Sequence, residues 1–296
     1  MNYIESSFKF KGGTCELFAR SCRPSVELPA QPVCVTILHG YGDHSGRHVH
    51  FMRWLAEQGV SSYALDFTGQ GQSPGARGYI HKWADYIDDA VAFLNQPIVK
   101  SESCFAMTPC RFLLAHSHGG LIAARLLQSR AADIPKLDGV IMTAPFFGPS
   151  LKVPGYKIAA ARLFQNILPK IRINTGLKDT MMSHDPAMIA DSKNDPLLSH
   201  IATPRWYMGS LAAIEKAITP VQCQQITLPL LVHFSDTDPV ADISIAKQFF
   251  DQCASKDKEF KTHPGLFHEI LRETGRDAIF ADILQWISLH TAAPAK

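Results

Sequence analysis

Residues 111–127, RFLLAHSHGGLIAARLL, decide how this chain folds. RFLLAH (111–116) is a short apolar run suited to a strand buried on both faces, and LIAARLL (121–127) reads as helix. Between them stand Ser117, Gly119 and Gly120. A strand, a sharp turn and a helix with serine at the turn hold that side chain strained and presented at the top of a sheet. The turn crowds neighbouring backbone, so small residues are needed two before and two after the serine. Gly119 meets this requirement, and Ala115 takes the preceding position in place of glycine.

The same rhythm extends outward. VCVTIL (33–38), SSYALD (61–66), GVIMTA (139–144) and LPLLVHF (228–234) are further buried-strand runs, and FKFKGGTCELFAR (8–20) alternates around Gly12 and Gly13 as a hairpin. WADYIDDAVAFL (83–94) is amphipathic, with Trp83, Ile87, Ala90, Val91 and Leu94 on one face. With the strand-like EFKTH (259–263), these runs and the hairpin make eight strands, and their alternation with helices predicts a mostly parallel α/β sheet with helices on both sides. The rhythm breaks between Phe147 and Ile218, where Pro149, Pro154, Pro169, Pro186, Pro196 and Pro204 separate short helical pieces. That stretch is read as a helical cap, 147–218, inserted after the sixth strand of a core made of 1–146 and 219–296.

Composition narrows the function. With 296 residues, 46% hydrophobic and 19% charged, the chain is globular with a substantial interior. Its 29 basic and 27 acidic side chains leave a net charge of +2, and no basic stripe interleaved with aromatics predicts a nucleic-acid partner. No run of about 18 apolar residues predicts a spanning helix. Glu5 and the lack of an apolar stretch near the start argue against a signal or transit peptide. The seven cysteines, Cys104 among them, are odd in number and without CxxC spacing, which reads as reduced thiols in a cytoplasmic protein.

Serine is a poor nucleophile without a base, and the base needs a carboxylate to hold its tautomer. Asp236 and Asp238 both follow the LPLLVHF strand; Asp238, closing a turn from Ser235 into PVAD, is the favoured acid. Of thirteen histidines, His268 in PGLFHEIL follows the strand-like EFKTH and precedes a helical segment, which makes it the favoured base over His263. An oxyanion needs donors. The loop ILHGYGDHSG (37–46) supplies the amide of Tyr41, and the elbow supplies that of His118. His44, His48 and His50 lack a carboxylate or cysteine partner at metal-site spacing, so neither a metal nor any other cofactor is expected.

These segments resemble the monoacylglycerol lipase and bacterial lysophospholipase branch of the serine α/β-hydrolases. The similar stretches are HGYGDHSGRH (39–48), LDFTGQGQSPGARGYI (65–80), AHSHGG (115–120), NDPLLSH (194–200), LPLLVHFSDTDPVAD (228–242) and GLFHEILRE (265–273), in family order over nearly the whole chain. HSGRH and HEILRE are the more specific of them. The chain departs from the family where His118 replaces Met, Ser235 replaces Gly, and Thr68-Gly69-Gln70-Gly71 replaces an Arg-Gly-His-Gly style run. No proposed triad member is lost.

The resemblance implies a serine hydrolase that cleaves esters of lysophospholipid or monoacylglycerol through an acyl-enzyme. Phe147 and Phe164 are candidate substrate-binding residues. On the cap, KIAAARLFQNILP (157–169) gathers Ile158, Ala161, Phe164, Ile167 and Leu168 on one broad face, which suits either a lid touching the inner face of a membrane or a helix packed on the core. Competing readings are a short-chain carboxylesterase, a proline-type aminopeptidase whose substrate ammonium would need cap acids such as Asp179, Asp185, Asp191, Asp195 or Glu215, and a binding protein that kept the fold.

Overall fold

The structure is a computed structural model that describes residues 2–25, 32–100, 110–151 and 153–291; Cys104 lies outside them. Its strands are β1 (Tyr3–Lys11), β2 (Glu16–Pro24), β3 (Val33–Leu38), β4 (Ser61–Leu65), β5 (Cys110–His116), β6 (Gly139–Thr143), β7 (Ile173–Asn174), β8 (Ile201–Ala202), β9 (Leu230–Ser235) and β10 (Lys258–His263). Eight form one sheet in the order β1-β2-β4-β3-β5-β6-β9-β10, while β7 and β8 make a separate short ladder. The β1–β2 hairpin and the β2–β4 pair are antiparallel. Every pair from β4 to β10 is parallel.

Alternation along the strands explains why their sequences are apolar throughout. In β3, Val33, Val35 and Ile37 join one hydrophobic cluster, and Cys34 and Leu38 join another on the opposite face. The first cluster is closed by α1 (Val49–Glu57) and by α10 (Arg276–Thr291), through Phe51, Leu55, Phe280, Ile283 and Trp286. The second is closed by α2 (Asp85–Leu94), by α4 (His118–Arg130) and by α9 (Ile243–Gln252). A four-residue helix, α3 (Pro97–Lys100), follows α2. Each β–helix–β unit thus lays its helix over one face of a parallel sheet.

The chain between β6 and β9 carries α5 (Gly155–Ile167), α6 (Pro186–Asn194), α7 (Pro204–Ala217) and α8 (Pro220–Cys223). Two of the prolines that interrupt the sequence pattern, Pro186 and Pro204, are helix starts here, as is Pro220 beyond them: each sits in a first turn, where a missing N–H costs nothing. Asp185 and Thr203 cap the two longer of these helices by accepting from the amides of Ala187 and Trp206. Helix α7 packs on both α5 and α4, so this insertion sits above the serine turn. Strand order reverses about β3, with β4 on one side and β5 on the other. The loops leaving the carboxyl ends of β3 and β5 therefore diverge and open a crevice between them.

Candidate active site

Ser117 stands between the end of β5 and the start of α4 with φ 52° and ψ −118°, a left-handed conformation costly for any side chain except glycine. Four backbone bonds hold it there: the Ser117 amide donates to Thr143 O at 3.0 Å, and the amides of Phe146, Gly120 and Leu121 donate to Ser117 O at 3.0, 2.9 and 3.4 Å. The need for glycine two residues later is steric, since a Cβ at Gly119 would lie 2.3 Å from Leu38 O and 2.7 Å from His39 O. The amino end of α4 is thereby pressed against the end of β3, and the two loops of the crevice are brought together.

One hydrogen-bonded chain runs through the crevice. Ser117 Oγ is 2.8 Å from His268 Nε2, and His268 Nδ1 is 2.7 Å from Asp238 Oδ2. Asp238 Oδ1 accepts from the amides of Val240 at 2.8 Å and Ala241 at 3.0 Å, which fixes the carboxylate. A carboxylate acceptor makes Nδ1 the donor and leaves Nε2 free to accept from the serine hydroxyl. Burial disfavours charge on both groups, yet mutual attraction wins: His268 is held above, and Asp238 below, its ordinary range. The competing residues lie elsewhere. Asp236 Oδ1 accepts from the Gly265 amide at 2.9 Å, and His263 Nε2 is 2.8 Å from His233 Nδ1 on the outer strands.

Above the serine, the amides of Tyr41 and His118 donate to no backbone or side-chain acceptor among the described residues. Both belong to residues whose rings are packed: Tyr41 stacks on Trp206 at 3.5 Å between centroids, and His118 accepts at Nε2 from Trp83 Nε1 at 3.2 Å. Burial pushes the His118 imidazole down to about 3, so it is neutral at every working pH. The His116 ring lies 5.1 Å from that of His268, with Nδ1 at 3.1 Å from Thr143 O.

Around this centre lies a buried ionic network that the sequence motifs alone do not reveal. Arg47 Nη2 donates to both Glu269 oxygens at 2.6 Å, Arg47 Nη1 to Ser192 Oγ at 2.7 Å, and Arg47 Nε lies 3.0 Å from Asp43 Oδ1. Glu269 follows His268 directly, so the HSGRH and HEILRE motifs meet as one clamp across 222 residues. The three histidines that suggest metal ligands go to separate partners: His44 to Asp195, His48 to Asp43, and His50 to Leu271 O.

Two candidate pocket residues differ in placement. Phe147 is fully buried and stacks on Phe249 at 4.0 Å, so in this arrangement its ring completes the core beneath α9 and offers a substrate no surface. Phe164 is half-buried on the inward side of α5. The broad face read for that helix is divided, with Ile158, Ala161 and Phe164 turned in and Ile167 and Leu168 exposed. Ser117 itself is only 7% exposed. A cavity of about 400 Å³ beside Asn95, Arg111 and Asp133 sits at the amino end of β5, the end of the strand opposite the serine.

Sheet order, elbow and the positions of the hydrogen-bonded residues after β5, β9 and β10 define an α/β-hydrolase. A family model described as serine aminopeptidase, S33, matches residues 30–275, and the chain belongs to that family of hydrolases. Phospholipase YtpA of Bacillus subtilis is 31% identical over 255 residues, covering 84% of this chain and 93% of that protein. The monoacylglycerol lipase of Mycolicibacterium smegmatis is 27% identical over 262 residues, covering 86% and 88%. A solved structure of a soluble variant of monoglyceride lipase from Saccharomyces cerevisiae, bound to a substrate analog, shares the fold with a TM-score of 0.82 at 21% identity, over 97% of this chain and 96% of that one.

Proposed function

We propose that the chain is a carboxylic ester hydrolase acting on lipid-like substrates, lysophospholipid or monoacylglycerol, through an acyl-enzyme on Ser117. The observation that carries this reading is the continuous chain from Ser117 through His268 to Asp238. Ser117 Oγ attacks the ester carbonyl as His268 Nε2 takes its proton. The same nitrogen gives that proton to the departing alcohol, then takes one from the water that attacks the acyl-serine and passes it to Ser117 Oγ as the acyl-serine bond breaks and the acid leaves. Asp238 holds the imidazole and balances its transient charge. The amides of Tyr41 and His118 receive the oxyanion.

Similarity to a phospholipase and a monoacylglycerol lipase supports a lipid ester, as does the surface of the insertion. Residues 147–218 are read as a cap over the core 1–146 and 219–296. On α5, Tyr156, Leu163 and Ile167 are 72%, 59% and 65% exposed, flanked by Lys157, Arg162, Lys170 and Arg172. An apolar strip edged by cations suits peripheral contact with an anionic bilayer, the inner face of a cytoplasmic membrane in this reading. Among the described residues no helix is long and apolar enough to cross one. Ser117 is buried, so entry of a long acyl chain requires the side chains that cover it to move.

Peptide hydrolysis fits less well. An aminopeptidase needs acids free to hold a substrate ammonium, and three of the five cap acids are engaged: Asp185 is paired with Arg276 at 2.7 Å, Asp195 with His44 at 2.8 Å and Asp179 with His200 at 3.3 Å, which leaves Asp191 and Glu215 for that role. The test is parallel incubation with lysophosphatidylcholine, monoacylglycerol, a short p-nitrophenyl ester and an aminoacyl-arylamide, beside Ser117→Ala. Long-chain fatty acid released only by the unaltered protein is expected. Turnover of the short ester alone makes it a general carboxylesterase, and turnover of the arylamide alone makes it an aminopeptidase.

A further inference from the structure

The side chains of the two residues assigned as oxyanion donors are packed against each other. The Tyr41 and His118 rings meet edge to face at 5.8 Å, and Trp206 of α7 touches both, stacked on Tyr41 at 3.5 Å and 5.6 Å from His118. One helical turn along, Gly209 places its backbone against Trp83, where an added Cβ would lie 3.1 Å from Trp83 Cβ. Trp83 in turn donates to His118 Nε2 at 3.2 Å. The same stretch of chain grips the Tyr41 loop from two further directions: Tyr41 OH donates to Ile201 O at 2.7 Å, and the Ser199 amide donates to Gly42 O at 2.9 Å. Gly42 has φ 71°, and a Cβ there would lie 2.1 Å from Ser199 O, so the loop and residue 199 are in closest contact.

None of these contacts touches a reacting atom. They pack against Tyr41 and the first residue of α4, whose amides donate to no acceptor among the described residues. We propose that α7, through Trp206, is the positioning element of the oxyanion hole, so that the hole is assembled only when the 199–209 segment is seated on Tyr41 and His118. The proposal rests on the assignment of those two amides as oxyanion donors. It is tied to this chain's own residues, because His118 stands where the resembled family has Met, and its imidazole supplies the acceptor for Trp83 and an aromatic face for Trp206. Seating of the segment would then couple closure over the serine to catalytic competence: a displaced segment leaves the nucleophile and base intact and the oxyanion unsupported.

Trp206 Nε1 faces the Tyr86 hydroxyl without a well-aligned hydrogen bond, so Trp206→Phe keeps the aromatic face that Tyr41 and His118 pack on, while Trp206→Leu removes it. Trp83→Phe keeps the ring and deletes the bond to His118. Each is assayed with a short p-nitrophenyl ester and with an alkylboronic acid, whose tetrahedral adduct with serine places an oxygen where the oxyanion forms. Loss of a whole oxyanion donor costs about 100–1000-fold and misplacement by an ångström about 100-fold, so Trp206→Leu should lower kcat by about 10–100-fold. KM should stay within about 3-fold, the boronate Ki should rise in proportion to the kcat loss, and Trp206→Phe should restore both.

An unchanged kcat in a folded Trp206→Leu variant overturns the proposal, as does a loss carried by KM with an unchanged boronate Ki. If Trp206→Leu fails to fold by circular dichroism, Trp83→Phe decides in the same way: matched falls in kcat and boronate affinity support the proposal, and unchanged values overturn it. Absence of boronate inhibition in the unaltered protein would instead overturn the underlying assignment of the serine site.

Discussion

Arg47→Met tests the clamp between the first crevice loop and the loop that carries His268. Arg47 is 4% exposed and binds both oxygens of Glu269, with Ser192 and Asp43 on its other nitrogens. Breaking a buried ion pair by removing one partner costs about 3–5 kcal/mol, because the remaining charge stays buried and uncompensated. The lower end applies here. Glu269 keeps Arg272 at 3.2 Å and Asp43 keeps His48 at 3.1 Å, so neither carboxylate is left alone. A loss of about 3 kcal/mol is expected by urea unfolding followed by circular dichroism. A cycle with Glu269→Gln should give strongly non-additive losses, because the two side chains share one interaction.

The dependence of that loss on pH has a definite sign. Burial opposes the charge on Glu269, but Arg47 holds its carboxyl below the usual range. A depressed carboxylate adds stability that is present above its unfolded pKa and is lost as pH falls through its folded one. The penalty of Arg47→Met should therefore shrink as the solution is made acid. A penalty below about 1 kcal/mol at pH 7, or additive single losses, would refute the reasoning.

Asp238→Asn should lower kcat by about 10⁴-fold through the wrong imidazole tautomer, whereas Asp236→Asn, which alters only a bond to the Gly265 amide, should stay within about 10-fold of the unaltered protein. Comparable losses in the two would reject Asp238 as the partner of His268. The pH profile of kcat/KM follows from His268 acting as a base in its neutral form. Burial pushes its pKa down, but Asp238, helped by Glu269 and Asp43, pushes it up by more, so the acid limb should have its midpoint above the ordinary histidine value of 6.5. Asp238→Asn removes the charge that raises it and should move the limb to lower pH; a midpoint below 6.5 in the unaltered protein would contradict this balance.

Much of this was legible in the sequence where the determinant is local. VCVTIL is β3 residue for residue, and the other buried runs agree with their strands to within two residues, because a strand covered on both faces must be apolar throughout. Ser117, Asp238 and His268 each follow a strand, and the structure brings all three into hydrogen-bonding contact. What escaped is made by contact between distant segments. Nothing in HSGRH announces that its arginine meets Glu269, and nothing in PRWYMG announces that Trp206 lies on Tyr41. The histidines at 44, 48 and 50 look alike in sequence and differ only in what lies opposite each of them. The α5 pattern shows that the helix is amphipathic but not how far α7 covers it, which is why Ile167 and Leu168 are exposed beside an inward Phe164.

The most direct test of the account is where an active-site phosphonate attaches. A fluorophosphonate incubated with the purified protein should add one adduct by intact mass, mapped to the peptide containing Ser117 and abolished by Ser117→Ala. Folded protein that takes no adduct, or one that maps to another residue while Ser117→Ala still hydrolyses ester, would contradict the assignment of Ser117 as the nucleophile.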